Sequence, residues 1–200
     1  MDSEETGPVG VDRPADEAER ERVGPVFKTG DKVVYPHHGA GKVLDIQETV
    51  VGGEVKQIMT IQILHNEMTV KVPLESAERT GIRAVIPELL VQEVVAVLRD
   101  DATGMPKNWN RRFKHNRDKI KTGDIFEVAD VVRNLAIRDA VRGLSTGEKQ
   151  MFGRVKKILA SELMYAMETP EEEAQRYLDS LLEEICANAD DCVDVNFDDF

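Results

Sequence analysis

From residue 27 to residue 85 the apolar positions come in short runs. Val33, Val34 and Tyr35 form one run, closed by Pro36. The His38-Gly39-Ala40-Gly41 stretch that follows reads as a turn, because glycine tolerates positive φ. Val43, Leu44 and Ile46 make a second run that ends at Gly52-Gly53, a hairpin signal between two strand-like segments. A third run, residues 57–64, carries Ile58, Met59, Ile61, Ile63 and Leu64. After a turn at His65-Asn66-Glu67, Met68, Val70 and Val72 alternate with Thr69 and Lys71, which predicts one buried and one wet face. A last short strand is expected at residues 82–85. Several short strands in so little chain predict a small closed β barrel of SH3 or Tudor type, since closure removes exposed edges.

Beyond Pro87 the period changes to that of a helix. Leu89, Leu90, Val94, Val97 and Leu98 predict a first helix, with Pro87 suited to its first position. Residues 100–106 read as a loop, and a second helix is expected over 107–121, stopped by Gly123. Asp124 and Glu127 resemble an N-cap pair for a third helix carrying Val128, Val131, Val132, Leu135 and Ile137 and ending at Gly143. Ser145 and Glu148 form a capping box for a fourth, with Phe152, Val155, Ile158, Leu159, Leu163 and Met167. Thr169, Pro170 and Glu172 start a fifth, with Tyr177, Leu178, Leu181, Leu182 and Ile185. Short loops imply antiparallel neighbours.

The expected fold class is therefore α+β and multidomain: a small Tudor- or SH3-like β barrel at 27–85, then an all-α bundle at 86–186. Residues 1–26 are acidic with almost no bulky apolar side chains, and residues 187–200 are acidic. They read as a disordered arm and a disordered tail. No apolar run is long enough to cross a membrane, and the acidic N-terminus cannot serve as a secretory signal. Cys186 and Cys192 fall late, where the chain turns acidic, and make no disulfide framework. A cytoplasmic protein is expected.

The net charge of −12 argues against nucleic acid until its distribution is read. Residues 105–157 hold 14 of the chain's 26 Lys and Arg but only 6 of its 38 Asp and Glu. Residues 168–200 hold 12 acids and one base, Arg176. Phosphate binding follows local potential, so a basic island in an acidic chain is a candidate footprint.

Several chemistries lack their residues. A phosphate loop needs glycine where Pro36 stands, and Ser or Thr where Val43 follows Gly41-Lys42. His37 and His38 are adjacent, His65 and His115 are isolated, and neither cysteine has a histidine near it, so no metal site is expected. No cofactor or small-molecule substrate is implied. Serine and cysteine nucleophiles lack a recognisable local motif, so an enzyme would need a catalytic set dispersed in sequence.

The basic and aromatic stretch Pro106-Lys-Asn-Trp-Asn-Arg-Arg-Phe-Lys-His-Asn-Arg-Asp-Lys carries the most information. Trp109, the single tryptophan, sits where loop meets helix, followed by Arg111, Arg112, Lys114 and Arg117. Such a cation-rich helix start with an exposed ring suits a protein that holds phosphates and presses a flat side chain against bases. The plainer reading is that Trp109 and Phe113, four residues apart, pack into the bundle while the charges are solvated. A second basic group, Arg138, Arg142, Lys149, Arg154, Lys156 and Lys157, reads equally as an ordinary helix surface.

The run Phe27-Lys-Thr-Gly-Asp-Lys-Val-Val-Tyr-Pro-His-His-Gly-Ala-Gly resembles the opening of the CarD/CdnL family, whose N-terminal module is shared with the transcription-repair coupling factor. Thr69-Val-Lys-Val-Pro, Asn108-Trp-Asn-Arg-Arg-Phe-Lys, Gly123-Asp and Gly143-Leu-Ser-Thr-Gly-Glu-Lys resemble its actinobacterial members. The resemblance spans residues 27–184. It implies a Tudor-like module that binds the RNA polymerase β subunit and a helical domain that binds promoter DNA at the upstream edge of the transcription bubble. Carried onto this sequence, the wedge is Trp109, the backbone-gripping residues are Arg111 and Lys114, and Lys149 matches a basic DNA-facing position; Arg112 and Arg142, from the two basic groups, complete the candidate DNA-binding set. Thr49, Val51 and Lys71 are the polymerase-facing candidates. Lys71 falls where relatives carry an arginine. Thr49 falls at another such arginine, a departure that loses bidentate pairing with a carboxylate.

The function implied is a non-enzymatic transcription regulator that stabilises the open promoter complex. The rival readings are an interaction adaptor and a Tudor-barrel factor bound to RNA or the ribosome, neither touching promoter DNA.

Overall fold

The computed structural model describes residues 27–64 and 68–189. The N-terminal arm, the turn at 65–67 and the chain from 190 onward, Cys192 included, lie outside the described residues.

Five antiparallel strands form one sheet: β1 (Lys32–Tyr35), β2 (Gly39–Val51), β3 (Glu54–Ile63), β4 (Thr69–Pro73) and β5 (Arg83–Ala84), in the order β4-β3-β2-β1-β5. Gly52 and Gly53 both have positive φ, 63° and 87°, the requirement of a tight two-residue hairpin turn between β2 and β3. The β2–β3 ladder slips between Val43 and Asp45, a bulge that bends the long hairpin over its core. Met59, Ile61 and Ile63 alternate inward along β3 and meet Phe27, Val33, Val43, Val72 and Ile82. On β4 the expected alternation holds, with Val72 buried and Thr69 and Lys71 exposed.

The sheet departs from the expected closed barrel: β4 and β5 are its two edges and do not pair. β5 has only two residues, too few to reach across. The core is sealed instead by a 3-10 turn at Leu74–Ser76 and by the buried Ala77 and Ile82 that follow it.

Five helices follow: α1 (Val91–Arg99), α2 (Trp109–Thr122), α3 (Ile125–Arg142), α4 (Thr146–Met167) and α5 (Glu171–Ala189). Val94, Leu98, Val131, Val132, Leu135, Val155, Leu159, Leu163 and Leu178 are wholly buried among them. The caps place their ends. Asn108 accepts from the Arg111 N–H, which starts α2 two residues later than its basic run. Gly123 ends α2 in the left-handed region and Asp124 caps α3. Ser145 and Glu148 form the complete capping box of α4.

Three local expectations change. Leu89 is not on the buried stripe of α1 but exposed on a preceding 3-10 turn, Glu88–Leu90, which Pro87 leads into. Pro170, not Thr169, directly precedes α5, and the Thr169 hydroxyl has no hydrogen-bond partner among the described residues. The last helix runs to Ala189, past the expected start of the tail, and Cys186 lies on it against the bundle core. There burial pushes the thiol pKa up, with Asp139 adding to the shift.

Sheet and bundle are docked. Arg83 of β5 grips Glu162 of α4 with two parallel bonds of 2.5 and 2.9 Å, and its Nε donates to the Gly123 carbonyl at 2.8 Å. The Ala40 N–H donates to Ser161 Oγ at 2.9 Å, and Lys32 meets Glu168 at 3.0 Å. Pro36 fills the seam: a Cβ on Gly123 would stand 2.8 Å from its ring, and one on Gly81 3.1 Å. Only glycine fits at Gly123, where φ is also positive.

Candidate nucleic-acid interface

The site begins at the N-terminus of α2. The Asn108 cap turns the chain so that Trp109 occupies the first helical position, 43% exposed. Its ring stacks on Phe113 one turn later, at 5.2 Å between centroids and 27° between planes. Its edge approaches Gly147 of α4, where a Cβ would stand 3.3 Å from Cζ2. The indole N–H donates to Ser145 Oγ at 2.9 Å.

Ser145 in turn donates to Glu148 Oε2 at 2.7 Å, and Arg112 Nε donates to Glu148 Oε1 at 2.7 Å. Arg112 also donates to the carbonyls of Pro106 and Lys107, each at 3.0 Å, so it pins the loop that delivers Trp109. Burial alone would raise the Glu148 pKa. Hydrogen bonds from Arg112 and Ser145 outweigh it and hold the carboxyl below its ordinary value. A buried charge so committed has strict geometry, and the chain Trp109–Ser145–Glu148–Arg112 therefore fixes the ring without burying it.

Trp109 packs on Phe113, and nearly half of it faces solvent. Arg112 needs correction as a DNA-facing residue. It is buried at 4% exposure and bonded to Glu148 and two carbonyls, partners that a buried guanidinium cannot lose without leaving a charge uncompensated. It positions the site and does not face a phosphate.

The other candidates are exposed at the same end of the bundle. Arg111 and Lys114 lie on the first turns of α2, Arg142 on the last turn of α3 and Lys149 on the first turn of α4. The side chains of Arg111, Lys114 and Lys149 form no ion pair or hydrogen bond among the described residues. A fixed, half-exposed aromatic face among uncommitted cations suits a polyanion whose bases are accessible.

Thr49, Val51 and Lys71 lie far from this end, on the sheet. Thr49 pairs with Lys56, Val51 with Glu54, and Lys71 with Thr60, so strand parity sets all three on the outer face. Val50 and Val55, each 68% exposed, form an apolar pair at the tip of the same hairpin. Lys71 stands on the edge strand, where unpaired backbone groups can accept another chain. The second basic group is split. Lys156 pairs with Asp179 at 2.9 Å, Arg138 reaches Glu148 at 3.8 Å, and Arg154 turns to the β1–β2 turn.

The capping box of Ser145 and Glu148 is legible in the sequence, but the reach of the same two side chains to Trp109 and Arg112 is not. A cap motif says nothing about partners 36 residues away. Among the described residues no group of His, Cys, Asp and Glu is placed to hold a metal ion, and no helix is long and apolar enough to cross a membrane.

Comparison with known proteins follows the same division of the chain. Residues 27–86 match the model of the CarD-like/TRCF RID domain, and residues 93–179 match that of the CarD C-terminal domain. The chain is similar to a protein of Bacillus subtilis (strain 168) named "Putative transcription factor YdeB". The two are 35% identical over 138 residues, which cover 69% of this chain and 90% of the relative.

Proposed function

This chain belongs to the CarD family of transcription regulators, and from that membership we propose that it binds the RNA polymerase β subunit through its sheet and stabilises open promoter DNA through Trp109. The observation that carries the reading is the exposed Trp109 ring, tied by Ser145, at the end of the bundle where Arg111, Lys114 and Lys149 are also exposed.

The thermodynamics are those of differential binding. Cations contact phosphates in closed and open DNA alike, and so add affinity without preference. A flat ring gains its stacking energy only where a base step is parted, so it favours the opened state and shifts the population toward it. No fuel is required. The sheet supplies the second contact and raises the local concentration of the helical domain at the promoter. Because Arg83, Pro36 and Ser161 dock the two parts, that tether is stiff, and it would aim Trp109 rather than merely keep it near. On the sheet, Lys71 on an edge strand and the exposed Val50–Val55 pair offer charge, backbone groups and apolar surface to a partner.

The test is the lifetime of open complexes formed by polymerase on a promoter, with and without the protein. The expected result is a longer lifetime with the protein, lost when Trp109 is truncated. Tight polymerase binding with an unchanged lifetime would replace this reading by that of an adaptor.

A further inference from the structure

Behind the Trp109–Phe113 stack, between α2, α4 and the turn joining β1 to β2, lies a cavity of about 360 Å3. Its walls are two helical stripes. Phe113 and Arg117 face it from α2, Gln150, Met151 and Arg154 from α4, and His37 closes the floor. The volume is in the range of small-molecule sites, and the lining is mostly apolar with a few convergent polar groups.

Its charge is one-sided. Arg117 and Arg154 line it, and no acid does. Arg117 has no hydrogen bond or ion pair among the described residues. Arg154 spends Nε and Nη2 on the His37 carbonyl, at 3.3 and 2.8 Å, and meets no carboxylate among them. Burial lowers the His37 pKa, and Arg154, His38 and Lys121 lower it further.

The floor is also held in place. His37 has a positive φ of 67°, a strained conformation for a residue with a side chain. It follows Pro36, which is wedged between Gly81 and Gly123. His37 thus lines the cavity next to the seated Pro36, and its carbonyl accepts from Arg154.

Two guanidinium groups on opposite walls suit an anion with several oxygens. A bare anion would leave Phe113 and Met151 unused. A flat apolar group carrying a phosphate would use both, with the Gln150 amide available to its polar edge. We propose that this inter-helix cavity binds a nucleotide, its phosphate between Arg117 and Arg154 and its base against Phe113 and Met151. The nucleotide comes either free or as one residue of a parted DNA strand. The strand form rests on the reading of Trp109 as a wedge, since Phe113 is the back of that stack. The free form does not.

The test uses the full chain in calorimetric titrations with thymidine monophosphate, thymidine and a short oligothymidylate, and compares Arg117→Gln with Arg176→Gln. Each variant removes one exposed charge, and Arg176 bonds only a carbonyl of its own helix. Saturable binding of the monophosphate but not of thymidine, weakened roughly tenfold or more by Arg117→Gln alone, supports the proposal with a free nucleotide as ligand. Binding of the oligothymidylate alone, with the same dependence on Arg117, supports it with the strand as ligand. No saturable binding of either, or equal loss in both variants, overturns it. Open-complex lifetimes measured alongside keep the two readings apart: a lifetime effect that persists without nucleotide binding sinks the cavity and leaves Trp109 its role.

Discussion

The indole N–H of Trp109 donates to Ser145 Oγ at 2.9 Å, so the one tryptophan of the chain is fastened to the cap of another helix while its face stays in solvent. That bond separates the ring's packing from its exposure. Most exposed aromatics lose rotamer freedom on meeting a ligand, and this one has already lost it, which lowers the cost of stacking.

Trp109→Ala is expected to shorten open-complex lifetime about fivefold or more, since stacking of a base on an aromatic ring is worth roughly 1–3 kcal/mol. The fold should survive, because the ring is 43% exposed and the core lies beneath it. Lifetime assays paired with thermal melts check this. A collapse of the melting temperature would mean that the ring is structural, and the wedge reading would fall.

Arg112→Ala should behave quite differently from Arg111→Ala and Lys114→Ala. Removing Arg112 leaves the buried Glu148 with Arg138, at 3.8 Å, as its remaining cation and with its Ser145 bonds, a loss of about 3 kcal/mol in stability. The two exposed variants should melt like the parent. Each should instead lower the slope of DNA affinity against salt by about one, the signature of a lost phosphate contact. Denaturant melts and salt titrations separate the classes, and a normal stability for Arg112→Ala would contradict the buried pair.

The contrast between Arg111 and Arg112 also marks how far the sequence could be read. The periods of the apolar runs and the caps at Gly123, Asp124 and Ser145 placed the helices, because those signals are local, whereas the Asn108 cap of α2 was not among them. The alternation at Met68, Val70 and Val72 told inside from outside on β4. Adjacent arginines in one basic run look alike, however, and only the position of Glu148 across the bundle turns one inward. The closed barrel failed for a similar reason. Closure depends on whether two distant edges meet, and β5 is too short to reach. Arg83 and Glu162 are brought together by the docking of sheet on bundle, and Arg117 and Arg154 line one cavity through the packing of α2 on α4, and neither nearness leaves a periodic trace.

Glu148 gives the site a dependence on acid. Its folded pKa lies below its ordinary value of 4.5, so its contribution to stability is complete above that pH and is lost as pH falls through the lower folded value. Tryptophan emission reports on Trp109 directly. On acidification below about pH 4.5 the emission should shift as the Ser145–Glu148 support loosens, and the stability difference between the parent and Glu148→Gln should shrink toward zero. If that difference stays constant down to pH 3, Glu148 does not supply the support.

The docking of sheet on bundle leads to the last expectation. Glu162 is buried, and it holds Arg83 bidentately while also accepting from the Ile86 N–H at 3.3 Å. Glu162→Ala removes the central tie of the seam at a cost of roughly 1–3 kcal/mol, moderated because Arg83 can still be solvated. Neither proposed contact surface touches this pair: Lys71 lies on the far edge of the sheet, and Trp109 lies at the start of α2. Binding to polymerase and binding to bare DNA, measured separately, should therefore stay within about twofold of the parent. Lys71→Glu, by contrast, should weaken polymerase binding and spare bare DNA, because it reverses charge on the sheet alone. The lifetime of the open complex should fall in both variants for different reasons. Lys71→Glu would lower occupancy, which a higher protein concentration restores. Glu162→Ala would loosen the aim of Trp109, so lifetime should stay short even at saturation. A Glu162→Ala protein that regains the full lifetime at saturation would show that the two parts act as independent binders on a slack tether, and the stiff docking would then have no part in the mechanism.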